Sequence, residues 1–282
     1  MMHFTQAEID GFILEDLPVH DETVRAIRMP DLPGSLTYSA RHGIVVAGVR
    51  PCVQLARSLG LEVEVLQPDG SVLASGGPVL RLHGRSHALH VAWKQGMNLL
   101  EHLSGVASTT AAMLGQARSV RPGVQLAATR KALPGSRRLL QYAVMCGGGT
   151  VHRAGLSESI LLFQQHRVFI PDESVDELVR RARSNSPEKF VLVEASGVAE
   201  ALLAADSGAD GVQIDKMSPA ALAGLVPRLR AIRPELVIAA AGGVRPDNVV
   251  AYAATGVDVL VTSSLYGAPP ADFSAVMERG CV

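Results

Sequence analysis

From residue 124 onward, apolar runs recur at 124–128, 159–163, 190–194, 210–214, 236–241 and 257–262. Between them lie stretches of helical periodicity, at 137–146, 173–184, 197–207, 218–231 and 246–255. Short buried strands alternating with amphipathic helices predict strand–helix units with a parallel sheet. Ser218-Pro219 and Arg245-Pro246 each put a proline in a first helical turn, and Gly208 and Gly256 are stop signals. About six units are too few for a closed eight-stranded barrel, so an incomplete, open α/β barrel of about six to seven strands is expected.

The first part of the chain has a different rhythm. Thr5 with Glu8 three residues on is a capping-box signal for a helix over 5–14, and Glu15-Asp16 and His20 to Thr23 read as loop. Residues 35–50 alternate, with breaks at Gly43 and Gly48, and predict strands followed by a helix from about Arg50 to Leu59 that ends at Gly60. LEVEVL, 61–66, alternates strictly, Pro68-Asp69-Gly70 is a turn, and 71–83 reads as two short strands around Gly76-Gly77-Pro78. Residues 86–118 then carry Leu89, Trp93, Met97, Leu100 and Leu103 at helical spacing, with Gly105 a candidate break and Trp93 read as core. The first part, to about residue 85, reads as a small α+β sheet domain, and 86–118 as a segment linking it to the strand–helix region.

Composition narrows the function. The 282 residues are 48% hydrophobic and 19% charged, which fits a soluble globular protein. A net charge of -1 gives no field to attract nucleic acid or an anionic membrane, so neither is expected as a partner. Cys52, Cys146 and Cys281 form no metal-ligand or disulfide pattern, as expected of a reducing cytosol. Cys146 reads as a small packing residue rather than a reactive thiol. MMHFTQAEIDGF has no signal-peptide pattern and no run nears the roughly 18 apolar residues of a membrane span, so a cytoplasmic protein is expected.

Against this neutral background, Ala128 to Arg167 concentrates cations: Thr129-Arg130-Lys131, Arg137-Arg138, His152-Arg153 after Gly147-Gly148-Gly149, and His166-Arg167. Arginine forks suit carboxylates and phosphates. Polar residues also end the strands: Arg130-Lys131 after Ala128, Glu194 ending FVLVE, Asp215 ending GVQID, Gly242-Gly243 after VIAAA, and Thr262-Ser263-Ser264 after VDVLV. In a βα barrel these ends share one rim, where active sites are built. His152-Arg153 beside Arg130-Lys131 reads as a carboxylate clamp. Glu194 and Asp215 read as ligands for Mg²⁺ or ribose hydroxyls, and Gly242-Gly243 as either a phosphate-binding turn or a plain one. His166 reads as a satisfied half-buried imidazole. Lys216 is either solvated or a Schiff-base lysine.

TRKxxPGxRxLxxYAVxxGGGxxHRxGLS, running from Thr129 through Pro134-Gly135, Arg137, Tyr142 and Gly147 to His152-Arg153 and Gly155-Leu156, resembles the signature of quinolinate (nicotinate-nucleotide) phosphoribosyltransferases. Glu15-Asp16, Asn98 to Ala107, Glu194, Asp215, Gly242-Gly243 and Gly256 to Asp258 fall in matching order, so the resemblance covers nearly the whole chain. It implies an N-terminal α/β sandwich with its linker helix over 1–108, an open α/β barrel over 109–269, a tail of about 270–282 that returns to the first domain, and a homodimer, or a higher oligomer, with a shared site. Several positions depart from the pattern: Ala128 for an acid, Trp93-Lys94 for Glu-Arg, Phe163-Gln164-Gln165-His166 for Lys-Asp-Asn-His, Lys216 for Asn, Ala241 for Ser, and Ser263 to Gly267 for Gly-Ala-Leu-Thr-His. That set, particularly GLSESILLFQQHR, is similar to the ModD branch, associated with molybdenum-transport genes and an assumed pyrophosphorylase activity.

The resemblance implies transfer of a phosphoribosyl group from 5-phosphoribosyl 1-diphosphate to an anionic nitrogen heterocycle, with Mg²⁺ and release of pyrophosphate. By it, Thr129, Arg130, Lys131, His152, Arg153, His166 and, from a partner subunit, Lys94 face the acceptor. Lys131, Glu194 and Asp215 are the catalytic residues, and the two acids are also metal ligands. Ala241, Gly242, Gly243, Thr262, Ser263 and Ser264 join Glu194 and Asp215 around the phosphoribosyl group. The alternative is a non-catalytic oxyanion- or nucleotide-binding protein linked to molybdenum transport.

Overall fold

The structure is a computed structural model and describes residues 2–280. Its elements, in order, are α1 (Gln6–Asp16), α2 (Glu22–Ala26), β1 (Pro33–Ala40), β2 (Ile44–Val45), α3 (Val49–Ser58), β3 (Glu62–Val65), β4 (Val72–Leu73), β5 (Gly77–Arg85), α4 (Ser86–Val120), β6 (Gln125–Ala128), α5 (Arg137–Cys146), β7 (Thr150–Val151), β8 (Ile160–Leu162), α6 (Gln164–Arg167), α7 (Val175–Asn185), β9 (Val191–Ala195), α8 (Val198–Asp206), β10 (Gly211–Asp215), α9 (Pro219–Ile232), β11 (Val237–Ala241), α10 (Val249–Ala253), β12 (Val259–Thr262), a 3-10 turn (Ser264–Gly267) and β13 (Phe273–Arg279). They form two compact units. One holds the residues up to 111, 138–148 and those from 267 on, and the other holds 112–137 and 149–266. Helix α5, expected with the barrel, therefore belongs to the first unit. No helix among the described residues is long and apolar enough to cross a membrane.

In the first unit an antiparallel sheet runs β13-β1-β5-β3. Alternation in β1 buries Leu36, Tyr38 and Ala40. Helix α3 buries Val49, Cys52, Leu55 and Ala56 along one stripe. β13 pairs with β1 antiparallel, from Ala40↔Phe273 to Gly34↔Arg279. The capping box at Thr5 forms, but α1 continues through Asp16, where loop was expected. Asp21 caps a further short helix, α2, its carboxylate accepting the Val24 N–H at 2.9 Å. Gly105 does not break α4. A Cβ there would stand 2.1 Å from the Pro269 carbonyl oxygen, so glycine is needed for close approach rather than for a bend. Trp93 is not core: it is 41% exposed and meets His90 edge-on.

The second unit is a seven-stranded sheet in the order β7-β6-β12-β11-β10-β9-β8. Its pairings are parallel. β7 and β8 are its two edges, so the barrel is open. The seventh strand, β7, escapes a periodicity search because it is two residues long behind a glycine run. Pro246 begins a turn instead of a helix, and α10 starts only at Val249. Val191, Val193, Ala195, Val212, Ile214, Ile238, Ala240 and Leu260 are buried on one face of the sheet. On the other, Ala127, Ala239, Ala241 and Val261 cluster inside the barrel. Small side chains there leave space toward the carboxyl ends of the strands.

Register fixes which residues meet at that rim. Gln213 pairs with Glu194, Asp215 with Ala241 and Thr262 with Ala128. The opposite end is held by Asp258. Its carboxylate takes two 2.6 Å bonds from Arg230, one from Arg121 at 3.3 Å and the Ile238 N–H at 2.8 Å. Removing it strands two guanidiniums and a backbone donor, so Asp258→Ala should cost about 1–3 kcal/mol. A lower urea midpoint at unchanged slope is the expected reading, and an unmoved midpoint would show that the acid is not a structural tie.

Candidate active site

A cavity of about 590 Å³ opens at the carboxyl rim of the second unit. One wall is cationic: Arg130 and Lys131 follow β6, and His152 and Arg153 follow β7. The facing wall is acidic and amide, with Glu194 from β9 and Gln213 and Asp215 from β10. Leu161, Phe163, Ala241 and Val261 add apolar surface.

Arg130, His152 and Arg153 are built in rather than solvated. Arg153 is 8% exposed. It donates to the Leu156 carbonyl at 2.9 Å, while its Nε is buried without a partner. Arg130 Nε and His152 Nε2 are likewise buried and unpartnered. Burial, and then Arg130 beside it, lowers the Arg153 pKa from the ordinary arginine value. Burial and Arg153 hold His152 below its ordinary value, so it enters neutral pH as imidazole. Like charges side by side, with buried donors unspent, are costly unless an anion takes them up. Lys131 is exposed at the mouth. Tyr266 donates from its hydroxyl to the Thr129 carbonyl at 2.8 Å, pinning the loop that carries Arg130.

Across the cavity, Glu194 accepts from Gln213 Nε2 at 2.8 Å. Burial raises its pKa above the ordinary glutamate value; the Gln213 bond opposes this, and Asp215 adds to it. Gln213 is 5% exposed and its Oε1 has no partner. Sequence reading passed over Gln213. Its signal was a lone polar side chain two residues before Asp215, hence on the same strand face. Two carboxylates and an orphan carboxamide oxygen are hard donors of the kind magnesium takes, together with substrate phosphates. The described residues contain no group of three or more acidic, His or Cys side chains that could cage a metal alone.

The turn after β11 is shaped by Asp215. Gly242 has φ +79°, and a Cβ there would lie 2.4 Å from Asp215 Oδ1 and 2.6 Å from Lys216 Cγ. The glycine is required for the acid to sit where it does. Gly243, also at positive φ, is exposed, and its carbonyl accepts from Asn248 at 2.9 Å. The Thr262 hydroxyl is occupied, donating to the Val244 carbonyl at 2.7 Å and accepting the Ser264 N–H at 3.0 Å. Ser263 and Ser264 are half-buried in the loop after β12. Lys94 lies elsewhere, exposed on α4 in the first unit.

The reading of His166 needs correction. His166 lines the cavity but is exposed, not half-buried; its Nδ1 accepts the Phe163 N–H at 3.0 Å and its ring stacks on Phe163. Arg138 is spent in the first unit on Glu8 and the His3 carbonyl. Gly147 presses against the Ala107 carbonyl, so the triple glycine is a packing turn. Burial raises the Cys146 thiol to about 12, which removes it as a nucleophile, and Cys281 lies outside the described residues. Lys216 has an 80% exposed side chain paired with Asp215 at 3.1 Å, the setting of a solvated, ion-paired lysine rather than of a buried Schiff-base nucleophile. A larger cavity, about 960 Å³, lies in the first unit. There Asp69 is already satisfied by Val49 N, Arg50 N and the Tyr142 hydroxyl, and no second acid faces it.

Comparison with known proteins agrees with the fold. A protein of Escherichia coli O127:H6 named "Putative pyrophosphorylase ModD" is 34% identical over 279 residues, 99% of this chain and 98% of its own. The "Probable nicotinate-nucleotide pyrophosphorylase [carboxylating]" of Methanothermobacter thermautotrophicus is 35% identical over 237 residues, 82% and 83% of the two chains. The crystal structure of NadC from Streptococcus pyogenes superposes with a TM-score of 0.88 at 27% identity, covering 100% of both chains. Residues 21–104 match the N-terminal domain and residues 106–276 the C-terminal domain of quinolinate phosphoribosyl transferase, and the chain belongs to that family.

Proposed function

We propose that the protein is a phosphoribosyltransferase that joins the phosphoribosyl group of 5-phosphoribosyl 1-diphosphate to an anionic nitrogen heterocycle. Quinolinate or a related acid is the acceptor. The observation that carries this is the divided cavity. Buried, unpartnered cationic donors on one wall await an anion, and two carboxylates on the other await a cation. A pure oxyanion-binding site gains nothing from Glu194 and Asp215, so the enzymatic reading is preferred to a binding protein.

In the reaction the acceptor's ring nitrogen attacks the anomeric carbon, the bond to the diphosphate oxygen breaks and pyrophosphate leaves with that electron pair. Arg130, Arg153 and His152 hold the acceptor carboxylate. Neutral His152 gives a hydrogen bond without adding a third charge. Lys131, at the mouth, binds the donor diphosphate. Glu194 and Asp215 stabilise the positive charge that develops on the sugar. Magnesium would be held by Glu194 and Asp215 and would neutralise diphosphate charge. The 5-phosphate lies on backbone donors near Ala241 to Gly243 and Ser263. Stacked Phe163 and His166, where the family pattern has Lys and His, offer the acceptor a ring face and one charge fewer. In a homodimer, Lys94 of the partner subunit would reach the same acceptor.

A pyrophosphate-release screen of nitrogen heterocyclic acids tests the assignment. Arg153→Ala should lower kcat/KM for the acceptor about 10- to 100-fold, the worth of a charged hydrogen bond. Equal release by wild type and variant would show that the clamp is misplaced.

Glu194 should set the acid limb of activity. Its folded-state pKa is raised, so the protonated form is favoured in the fold. The required carboxylate is then lost, on acidification, at a higher pH than for an ordinary glutamate. By the same linkage its stabilising contribution is present below the unfolded value and lost as pH rises through the folded one. Glu194→Gln should therefore raise the neutral-pH melting temperature while collapsing kcat and removing that limb. A variant with wild-type kcat, or an unchanged acid limb, would exclude the role.

A further inference from the structure

Lys216 carries an unusual backbone. Among the described residues only it and Arg28 have a positive φ without being glycine, and its value is +56°. The conformation is held from several sides. The Lys216 N–H donates to the Ala241 carbonyl at 2.8 Å, and its Cγ lies so near Gly242 that no side chain fits there. Asparagine or glycine would adopt this geometry with less strain. The lysine is kept where its ammonium lines the cavity and stands 3.1 Å from Asp215 Oδ2. Its charge also acts on Glu194, drawing that carboxyl's pKa down against the burial that raises it. With its side chain 80% exposed, the ammonium can turn from Asp215 to an arriving anion without being dug out of the protein.

We infer that Lys216 is a donor-binding residue, a resident cation beside Asp215 and Glu194 that contacts the diphosphate of the phosphoribosyl donor and makes its binding less dependent on divalent metal. This rests on the phosphoribosyl-transfer reading above. The ammonium occupies the place where two carboxylates would otherwise repel the diphosphate. It offers three donors and one positive charge, part of what a magnesium ion brings. A metal bound at the two acids would displace it from Asp215, so the two cations compete for one carboxylate and serve the same anion.

The test is calorimetric titration of the full-length protein with phosphoribosyl diphosphate and, separately, inorganic pyrophosphate, each in EDTA and in excess Mg²⁺. Wild type is compared with Lys216→Asn and Lys216→Gly. Both variants relax the backbone, so their melting temperatures should equal or exceed that of wild type. The expected result is measurable binding by wild type in EDTA. The variants should lose on the order of tenfold or more of that metal-free affinity, and most of the loss should be recovered with Mg²⁺. Equal affinity of wild type and variants in EDTA would overturn the inference. So would a wild type that binds only with Mg²⁺, or a loss of the same size with and without metal. If wild type binds neither ligand under either condition, the phosphoribosyl reading itself fails and takes this inference with it.

Discussion

The parallel register of the barrel strands is the constraint on which the site depends. Side chains alternate in direction along a strand, so a slip of one residue between β9 and β10 would turn Glu194 or Asp215 from the interior to the helix layer. The pairing of Gln213 with Glu194 and of Asp215 with Ala241 keeps both acids on the interior face. Fully buried Val191, Val193, Val212 and Ile214 on the opposite face make that slip prohibitive. The ladder thus brings acids from two strands together, while the amide of Gln213 bridges toward Glu194.

The register also explains why the interior can hold chemistry. Ala127, Ala239 and Ala241 occupy positions where a packed barrel carries large branched residues. Their small volume leaves the rim hollow. Into that hollow the loops after β6 and the edge strand β7 send Arg130, His152 and Arg153, with nitrogen atoms left unpaired. A folded chain seldom leaves buried polar groups unsatisfied. Among the described residues three such donors line one wall of this cavity and Gln213 Oε1 stands on the facing wall, the arrangement expected when their partner is a ligand; the other unpaired atoms, on Gln54, Arg121, Arg137, Gln141 and Arg167, lie outside it.

Much of this was legible in the sequence. The strand–helix alternation predicted the open barrel, and the strand-end positions picked out both walls of the cavity. Periodicity was a sound guide where an element was long enough to show a period. It missed β7, two residues long, and β13, a single strand in the tail with no helix following it. Trp93 was misread because helical spacing identifies a face but not whether another element covers it. Gln213 was missed because a single amide in an apolar strand reads as an irregularity until register gives it a neighbour. The glycines were ambiguous for the same reason. Gly147 and Gly242 have the same local signature, yet one makes room for a helix carbonyl and the other for the Asp215 carboxylate.

Lys216 is where local preference and the observed structure disagree most. A left-handed backbone costs a side chain with a Cβ about 1–2 kcal/mol. An ion pair as exposed as Lys216–Asp215 returns about 0–1 kcal/mol. The pair therefore does not offset the strain, and stability alone would favour asparagine or glycine at this position. Nor does the lysine serve packing, since its side chain is mostly in solvent. What it does supply is positive charge at the acidic wall of a cavity whose other wall is already cationic. An anion reaching both walls would meet cations on each, an arrangement suited to a multiply charged leaving group departing from a centre that itself becomes positive.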